Sequence, residues 1–221
     1  MHIELKREEL QSALELVGRV STKHITLPVL QCVLVEVGND TVRLTATNLE
    51  IGVEVAITSN KATEEERFAV PAVTLLQTIS LLTDQYVSLS TEGDVLVVEG
   101  KKAKTNIKLF PYEEFPTIPK VSGDGQVINK DMFSLGIKTT AFACSISSIK
   151  PELGSVYIFQ KKEHSVTFVA TDSFRLIEKT VPQKGVILNE SLLVPQKNAL
   201  ELTRVCDLAT GDVSLKVNDN K

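Results

Sequence analysis

The 221-residue chain carries 24 Lys and Arg against 28 Asp and Glu, and its formal net charge of −4 argues against gripping nucleic acid by bulk electrostatics while leaving room for a locally basic face. Hydrophobic residues make up 43% and charged residues 24%, ordinary for a globular protein, and with no Trp and 5% aromatics the core must be aliphatic. No run approaches the roughly 18 apolar residues of a membrane helix, Met1-His2-Ile3-Glu4 opens no signal peptide, and three scattered cysteines without Cys-x-x-Cys suit buried thiols in a reducing cytosol better than disulfides or zinc.

A short alternating strand is expected over residues 3–5. Leu10, Ala13, Leu14 and Val17 recur at helical spacing, which predicts a helix over 7–17 with Gly18 as its stop. A polar loop, 19–26, holds Arg19, Lys23 and His24. Strands are expected over 33–37, 41–46 and 52–57, the first two joined at Gly38-Asn39-Asp40. The carboxylate run within 59–67 reads as a solvated connector rather than a catalytic pair. A second cycle follows, with a strand over 68–70 and a helix whose first residue is Pro71 and whose apolar stripe is Leu75, Leu76, Ile79 and Leu82. Strands over 86–90, 95–99 and 105–109 complete it, and residues 111–119, with three prolines, form an extended connector.

The scheme then starts again. A strand is expected over 126–128, a helix over 131–143 with Phe133, Ile137 and Ala141 inward, and a polar loop over 145–150. Strands over 155–160, 166–170 and 176–181 follow, with a turn at Thr171-Asp172-Ser173, whose side chains can bond neighbouring backbone groups. A strand over 192–194 leads to a helix from Pro195 with Ala199, Leu202, Val205 and Cys206 inward, then a last strand over 213–217. Ala46-Thr47-Asn48 answers Ala170-Thr171-Asp172, Val70-Pro71 answers Val194-Pro195 and Ile3 answers Val127, all at a shift of 124, while Pro28 answers Pro151 at 123. Four registrations at nearly one spacing establish an internal repeat. The expectation is an α+β protein of two tandem domains, 1–120 and 121–221, each built from β-α-β-β-β units. Under the shift Lys221 falls opposite Val97, so the second copy lacks the strand that answers 105–109 and the connector after it. A sheet without its closing strands exposes backbone groups, so the chain is expected to be either shortened or completed by a partner.

No phosphate-cradling Gly-x-x-x-x-Gly-Lys-Ser/Thr loop, Gly-x-Gly-x-x-Gly turn or Gly-x-Ser-x-Gly elbow occurs, and His2, His24 and His164 stand apart from ligand-spaced Cys or carboxylates. The residues therefore point to a binding protein without catalytic groups, cofactor or metal. An α+β enzyme with an unrecognised site stays as the alternative.

Thr26-Leu27-Pro28-Val29-Leu30, Phe115-Pro116, Lys150-Pro151-Glu152-Leu153, Ala170-Thr171-Asp172-Ser173-Phe174-Arg175-Leu176 and Val194-Pro195, taken in order with the repeat, resemble the bacterial replicative sliding clamp, the β subunit of DNA polymerase III, over the whole chain. The resemblance implies tandem clamp domains with helices on one face and antiparallel sheets on the other, and a third domain absent from these residues. It implies a cytoplasmic, non-enzymatic processivity factor of DNA replication, a head-to-tail homo-oligomeric ring that holds duplex DNA without sequence preference. It also implies short linear peptides as the means by which DNA polymerase III and the clamp loader attach. Two chains lacking the third domain cannot close the familiar ring, so closure needs another stoichiometry. The alternative is a shortened relative that serves as a peptide-binding scaffold without encircling DNA. By position, Leu153, Thr171, Ser173, Phe174, Arg175 and Leu176 match one wall of the peptide pocket, and Phe174, in a slot that is often His, makes its rim more apolar. Lys23, His24 and Lys150 on matching loops, with Lys197 and Arg204 on the helix after Pro195, correspond to DNA-facing positions. His24 stands where many clamps carry Arg, which weakens that contact near neutral pH.

Overall fold

A computed structural model of the chain describes residues 1–21, 26–59, 64–121, 124–147 and 149–217. It divides into two compact units, Met1–Ile118 and Pro119–Lys221. Among the described residues no helix is long and apolar enough to cross a membrane.

Unit one runs β1 (His2–Lys6), α1 (Arg7–Val17), β2 (Cys32–Val37), β3 (Thr41–Thr47), β4 (Gly52–Thr58), β5 (Glu66–Pro71), α2 (Ala72–Leu81), β6 (Tyr86–Glu92), β7 (Val95–Glu99) and β8 (Lys104–Lys108). The strands form two antiparallel sheets of order β4-β3-β2-β5 and β1-β6-β7-β8. Leu10, Ala13, Leu14 and Val17 put the apolar stripe of α1 into one core with Leu75 and Ile79 of α2 and the inward residues of both sheets. Gly18 ends α1, its N–H donating to the Leu14 carbonyl at 2.8 Å. Pro71 was expected inside α2; it is instead the last residue of β5 and the N-cap, its fixed φ of −56° serving the bend from strand to helix.

Unit two repeats the plan with β9 (Gln126–Ile128), α3 (Lys130–Thr140), a 3₁₀ turn (Ala141–Ala143), β10 (Ser155–Phe159), β11 (Ser165–Thr171), β12 (Leu176–Pro182), β13 (Leu192–Pro195), α4 (Gln196–Leu208) and β14 (Val213–Leu215). Its larger sheet has the order β12-β11-β10-β13, the same as in unit one, whereas β9 pairs with β14 alone among the described residues. In the larger sheet register follows the repeat to the residue, whereas Val127, matched to the fully buried Ile3 by the shift of 124, is 57% exposed, and Ile128 pairs with Val213 where Ile3 pairs with Leu89. Cys32 faces Pro71 as Ser155 faces Pro195, and Thr47 faces Gly52 as Thr171 faces Leu176.

The cores match by exchanging volume. In unit one Ala13 and Leu44 are buried; in unit two the equivalent positions hold Gly136 and Phe168. A Cβ on Gly136 would sit 2.4 Å from the Phe168 ring, so the larger ring is accommodated by the missing methyl of the helix. Phe168 meets Phe133 edge to face at 5.2 Å.

Three further expectations are corrected. The helix foreseen over 131–143 ends at Thr140, and a 3₁₀ turn takes the rest. In α4 the buried stripe is Ala199, Thr203 and Cys206, while Leu202 and Val205 are 40% and 52% exposed, being one residue, about 100° of helix, short of that stripe. The loop at 145–150, read as polar, exposes Ile146 almost fully. All three thiols are free and buried, and burial pushes the Cys32 thiol up to about 12.

Candidate functional site

The turn between β11 and β12 is built by side chains that belong to it. The Thr171 hydroxyl donates to the Arg175 carbonyl at 2.7 Å and accepts the Ser173 N–H at 3.1 Å. Asp172 Oδ1 accepts the N–H groups of Phe174 and Arg175 at 3.0 and 2.9 Å. Ser173 sits at φ +77°, in the left-handed region. With the backbone satisfied from within, the apolar side chains are held outward: Phe174 is 98% exposed and Leu176 65%. Hydrogen bonds from the Arg175 and Phe174 backbone, together with the Arg175 guanidinium, hold the Asp172 carboxyl below the usual carboxylate range.

Arg175 ties the turn to the rest of unit two. Its Nε lies 3.0 Å from Asp172 Oδ2, and its Nη2 donates to the Phe142 carbonyl at 2.8 Å. The guanidinium also lies 5.7 Å from the centroid of the half-exposed Phe142 ring. Three residues on, the Ser145 N–H donates to the carbonyl of half-buried Leu153 at 2.7 Å. Gln196 anchors the same segment, its Nε2 donating to the Ala141 carbonyl at 2.7 Å. Thus one stretch, 141–145, binds both Arg175 and Leu153. Thr171, Ser173, Phe174, Arg175 and Leu176 form one contiguous turn beside it.

Two members of this arrangement lie outside the set taken from sequence. Asp172 is legible as a turn residue, but its ion pair with Arg175 also uses the charge. Phe142 carries no sequence signal, since it follows the end of α3 and meets Arg175 across 33 residues of chain.

The expected DNA-facing residues are more scattered. Lys23 and His24 lie outside the described residues. Lys150 is exposed on the loop that bonds Leu153. Lys197 and Arg204 are exposed two helical turns apart on α4, with Arg204 Nε 3.5 Å from Glu201 Oε1. Lys138 of α3 is bound at 2.7 Å to Asp207 of α4, which is thereby held below the usual carboxylate range. Among the described residues no group of three or more His, Cys, Asp or Glu could hold a metal ion.

Tandem units with this strand order, helices on one face and sheets on the other, define a clamp-type α+β protein. Residues 1–119 match the family model of the DNA polymerase III beta subunit, N-terminal domain, and residues 127–221 match that of its central domain. The chain belongs to the DNA polymerase III beta subunit family. It is 28% identical to the Beta sliding clamp of Pseudomonas aeruginosa, over 97% of this chain and 59% of that protein. The solved DNA polymerase III subunit beta from Pseudomonas aeruginosa matches with a TM-score of 0.90 at 26% identity, over 99% of this chain and 60% of that one. The Helicobacter pylori beta clamp bound to DNA ligase peptide shares the fold, with a TM-score of 0.85 at 23% identity over 99% of this chain and 62% of that one. The chain spans about 60% of the length of the relatives it matches.

Proposed function

We propose that this chain works as a sliding clamp, holding duplex DNA without reading its sequence and tethering DNA polymerase III, the clamp loader and other partners through short linear peptides. The role is one of binding, with no catalytic step. The observation that carries the peptide reading is the turn itself: Phe174 and Leu176 stand 98% and 65% exposed on a backbone already bonded from within. Such an edge is organised before a partner arrives, so the peptide's apolar anchors cover it without the cost of ordering the turn. Leu153 and Arg175 complete this wall, tied to it through 141–145. The peptide bound to the Helicobacter pylori clamp supports the reading at the level of a shared fold.

For DNA, the proposed contacts are Lys23, His24, Lys150, Lys197 and Arg204. Topological retention needs only weak attraction to phosphates, screened over roughly 8–10 Å at cellular salt, so a net charge of −4 is compatible with a modestly basic lining. A second reading is a peptide-binding scaffold that does not encircle DNA, for which the exposed turn at 171–176 suffices by itself.

Two measurements decide between them. Fluorescence anisotropy with a DNA ligase peptide should show saturable binding that Leu176→Glu weakens by about tenfold or more, the loss expected from a charge forced into an apolar contact. Absence of binding by the unaltered chain refutes the peptide site. Retention on closed circular DNA with loss on linear DNA supports the clamp, whereas peptide binding with no retention on circles supports the scaffold.

A further inference from the structure

Unit one carries a row of charges on the sheet face turned away from its helices. Val35, Val37, Val42, Leu44 and Phe68 point into the core, so the alternation of the strands turns Glu36, Arg43 and Arg67 to the opposite face. Glu36 stands between the other two, in register with Arg43 of β3 and with Arg67 of β5. Arg67 donates to Glu36 Oε1 from both Nη2 and Nε, the latter at 2.6 Å. Arg43 reaches Glu54, its Nε 3.5 Å from Oε1, and among the described residues its two Nη groups have no acceptor. The fold does not demand this row. In unit two the registered pair Glu36–Arg43 becomes Phe159–Thr167, and the shift of 124 puts Ser191 at the position of Arg67. The same sheet forms there with no charge at any of the three positions.

A cleft of about 640 Å³ opens over the row, within the range of small-ligand sites. Tyr112, 41% exposed in the 3₁₀ turn Tyr112–Glu114, lines it from the connector. On the hairpin side the next outward positions are Thr41 at the start of β3, Gly38 after β2 and Glu65 before β5, and all three line the cleft. Gly38 is not required there by its backbone. Its φ is not left-handed, and an added Cβ would come no closer than 3.4 Å to the Thr41 carbonyl oxygen. The missing side chain therefore leaves the middle of the floor open. Glu66, at the rim, is engaged by the Thr91 hydroxyl, which donates to it at 2.7 Å. Opposite charges thus face each other across the floor. The Arg43 guanidinium and the Thr41 hydroxyl rise from β3, and the exposed Glu65 carboxylate stands beside β5, two strand spacings or about 10 Å away.

We propose that this cleft binds an extended segment of a partner protein, which presents a carboxylate side chain to Arg43 and, two residues on, a basic side chain to Glu65, its backbone crossing the floor at Gly38. Charge complementarity selects that occupant. The two open Nη donors of Arg43 fit a carboxylate bidentately, and Glu65 across the floor disfavours a ligand that is purely negative. Side chains two apart in an extended segment share a face at about 7 Å, and the reach of Glu and Lys side chains covers the remainder. The cleft belongs to unit one alone, so its occupant is independent of the turn at 171–175.

The test is a ¹H–¹⁵N titration of the full chain with the capped peptide Ac-Ala-Glu-Ala-Lys-Ala-NH2. So short a peptide must be ordered on binding, so a dissociation constant of about 1 mM is expected, with shifts centred on residues 36–43, 65–67 and 112. Arg43→Gln should weaken binding by about fivefold, and Gly38→Ala, which puts a methyl on the floor without straining the backbone, should weaken it as well. Glu65→Gln should cost the same peptide about fivefold, yet leave unchanged the weaker binding of a peptide with Ala in place of Lys. A charge with a merely structural role would show no such coupling. Arg43 and Glu65 are exposed and Gly38 lies at a hairpin, so the fold is retained, as circular dichroism would verify. No shifts at about 10 mM peptide, several times the expected constant, would overturn the proposal. Binding indifferent to Arg43→Gln, or equally tight for a peptide with Lys in place of Glu, would overturn it too. Inorganic phosphate bound more tightly than the peptide would make the cleft a plain anion site and overturn the dipolar occupant.

Discussion

The turns at 47–51 and 171–175 are the same structure made twice. Thr47 donates to the Ile51 carbonyl at 2.8 Å and accepts the Leu49 N–H at 3.1 Å, as Thr171 does with Arg175 and Ser173. Asn48 Oδ1 accepts from Glu50 and Ile51 at 3.0 and 2.9 Å, as Asp172 Oδ1 does from Phe174 and Arg175. Leu49 and Ser173 take the left-handed φ at +73° and +77°. The difference lies in what surrounds each turn. In unit one Gly52 follows, Ile118 lies over it, and the neighbouring sheet face is filled by the chain's own Phe115. In unit two Arg175 replaces Ile51, Leu176 replaces Gly52, and the turn presents bare apolar side chains. Identical backbone chemistry thus carries different side chains in the two copies: Ile118 lies against Gly52 in one, while Phe174 and Leu176 stand 98% and 65% exposed in the other.

The comparison extends into the cores, where it is easiest to break. Gly136→Ala imports the residue of unit one without its partner, and the Cβ meets the buried Phe168 ring at 2.4 Å. Overpacking of this kind costs about 1–3 kcal/mol, readable by urea denaturation of the chain. Adding Phe168→Leu restores the unit-one pairing and should recover most of the loss. If the double variant is no more stable than the single, the two cores are not exchanging volume as described.

A smaller effect is expected at Ser173. Its left-handed φ costs a side-chain-bearing residue about 1 kcal/mol, so Ser173→Gly should stabilise unit two by up to that amount, less the greater freedom of glycine in the unfolded chain. Leu49→Gly should do the same for unit one, and a gain in one copy alone would mean that the turns are not equivalent.

The smallest change is Asp172→Asn, since Asn48 makes the same two backbone bonds without charge. Stability at neutral pH should hold, but its dependence on acid should change. Because the folded Asp172 carboxyl is held below its unfolded value, its stabilisation is complete above about 3.9 and is lost as pH falls through the folded value. The Asn variant should lack that acid-side contribution. Unchanged acid melting curves would show that the backbone bonds to Asp172 are not tuning its charge.

Local hydrogen bonding is what made the turn legible. Thr171, Asp172 and Ser173 bond atoms at most four residues away, and such preferences survive without tertiary context. The helical stripe of α1 was equally clear, because four apolar residues at helical spacing leave one face to bury. The α4 stripe misled for the converse reason: apolar Leu202 and Val205 sit beside it, while Thr203, satisfied by the Leu200 carbonyl at 2.8 Å, is buried. Residue type outweighed angle in the reading, and the packing against α3 settled the angle.

From the chain alone came the repeat, its one-residue change of shift between Pro28/Pro151 and Val70/Val194, the α+β class and the position of the turn. All of these rest on periodicities and short-range bonds that each segment carries with it. Only the folded molecule decided that Arg175 leans on Phe142 and that Gly136 and Phe168 share one volume. Those facts depend on residues far apart in sequence meeting at van der Waals distance, and no local pattern records which neighbour will arrive.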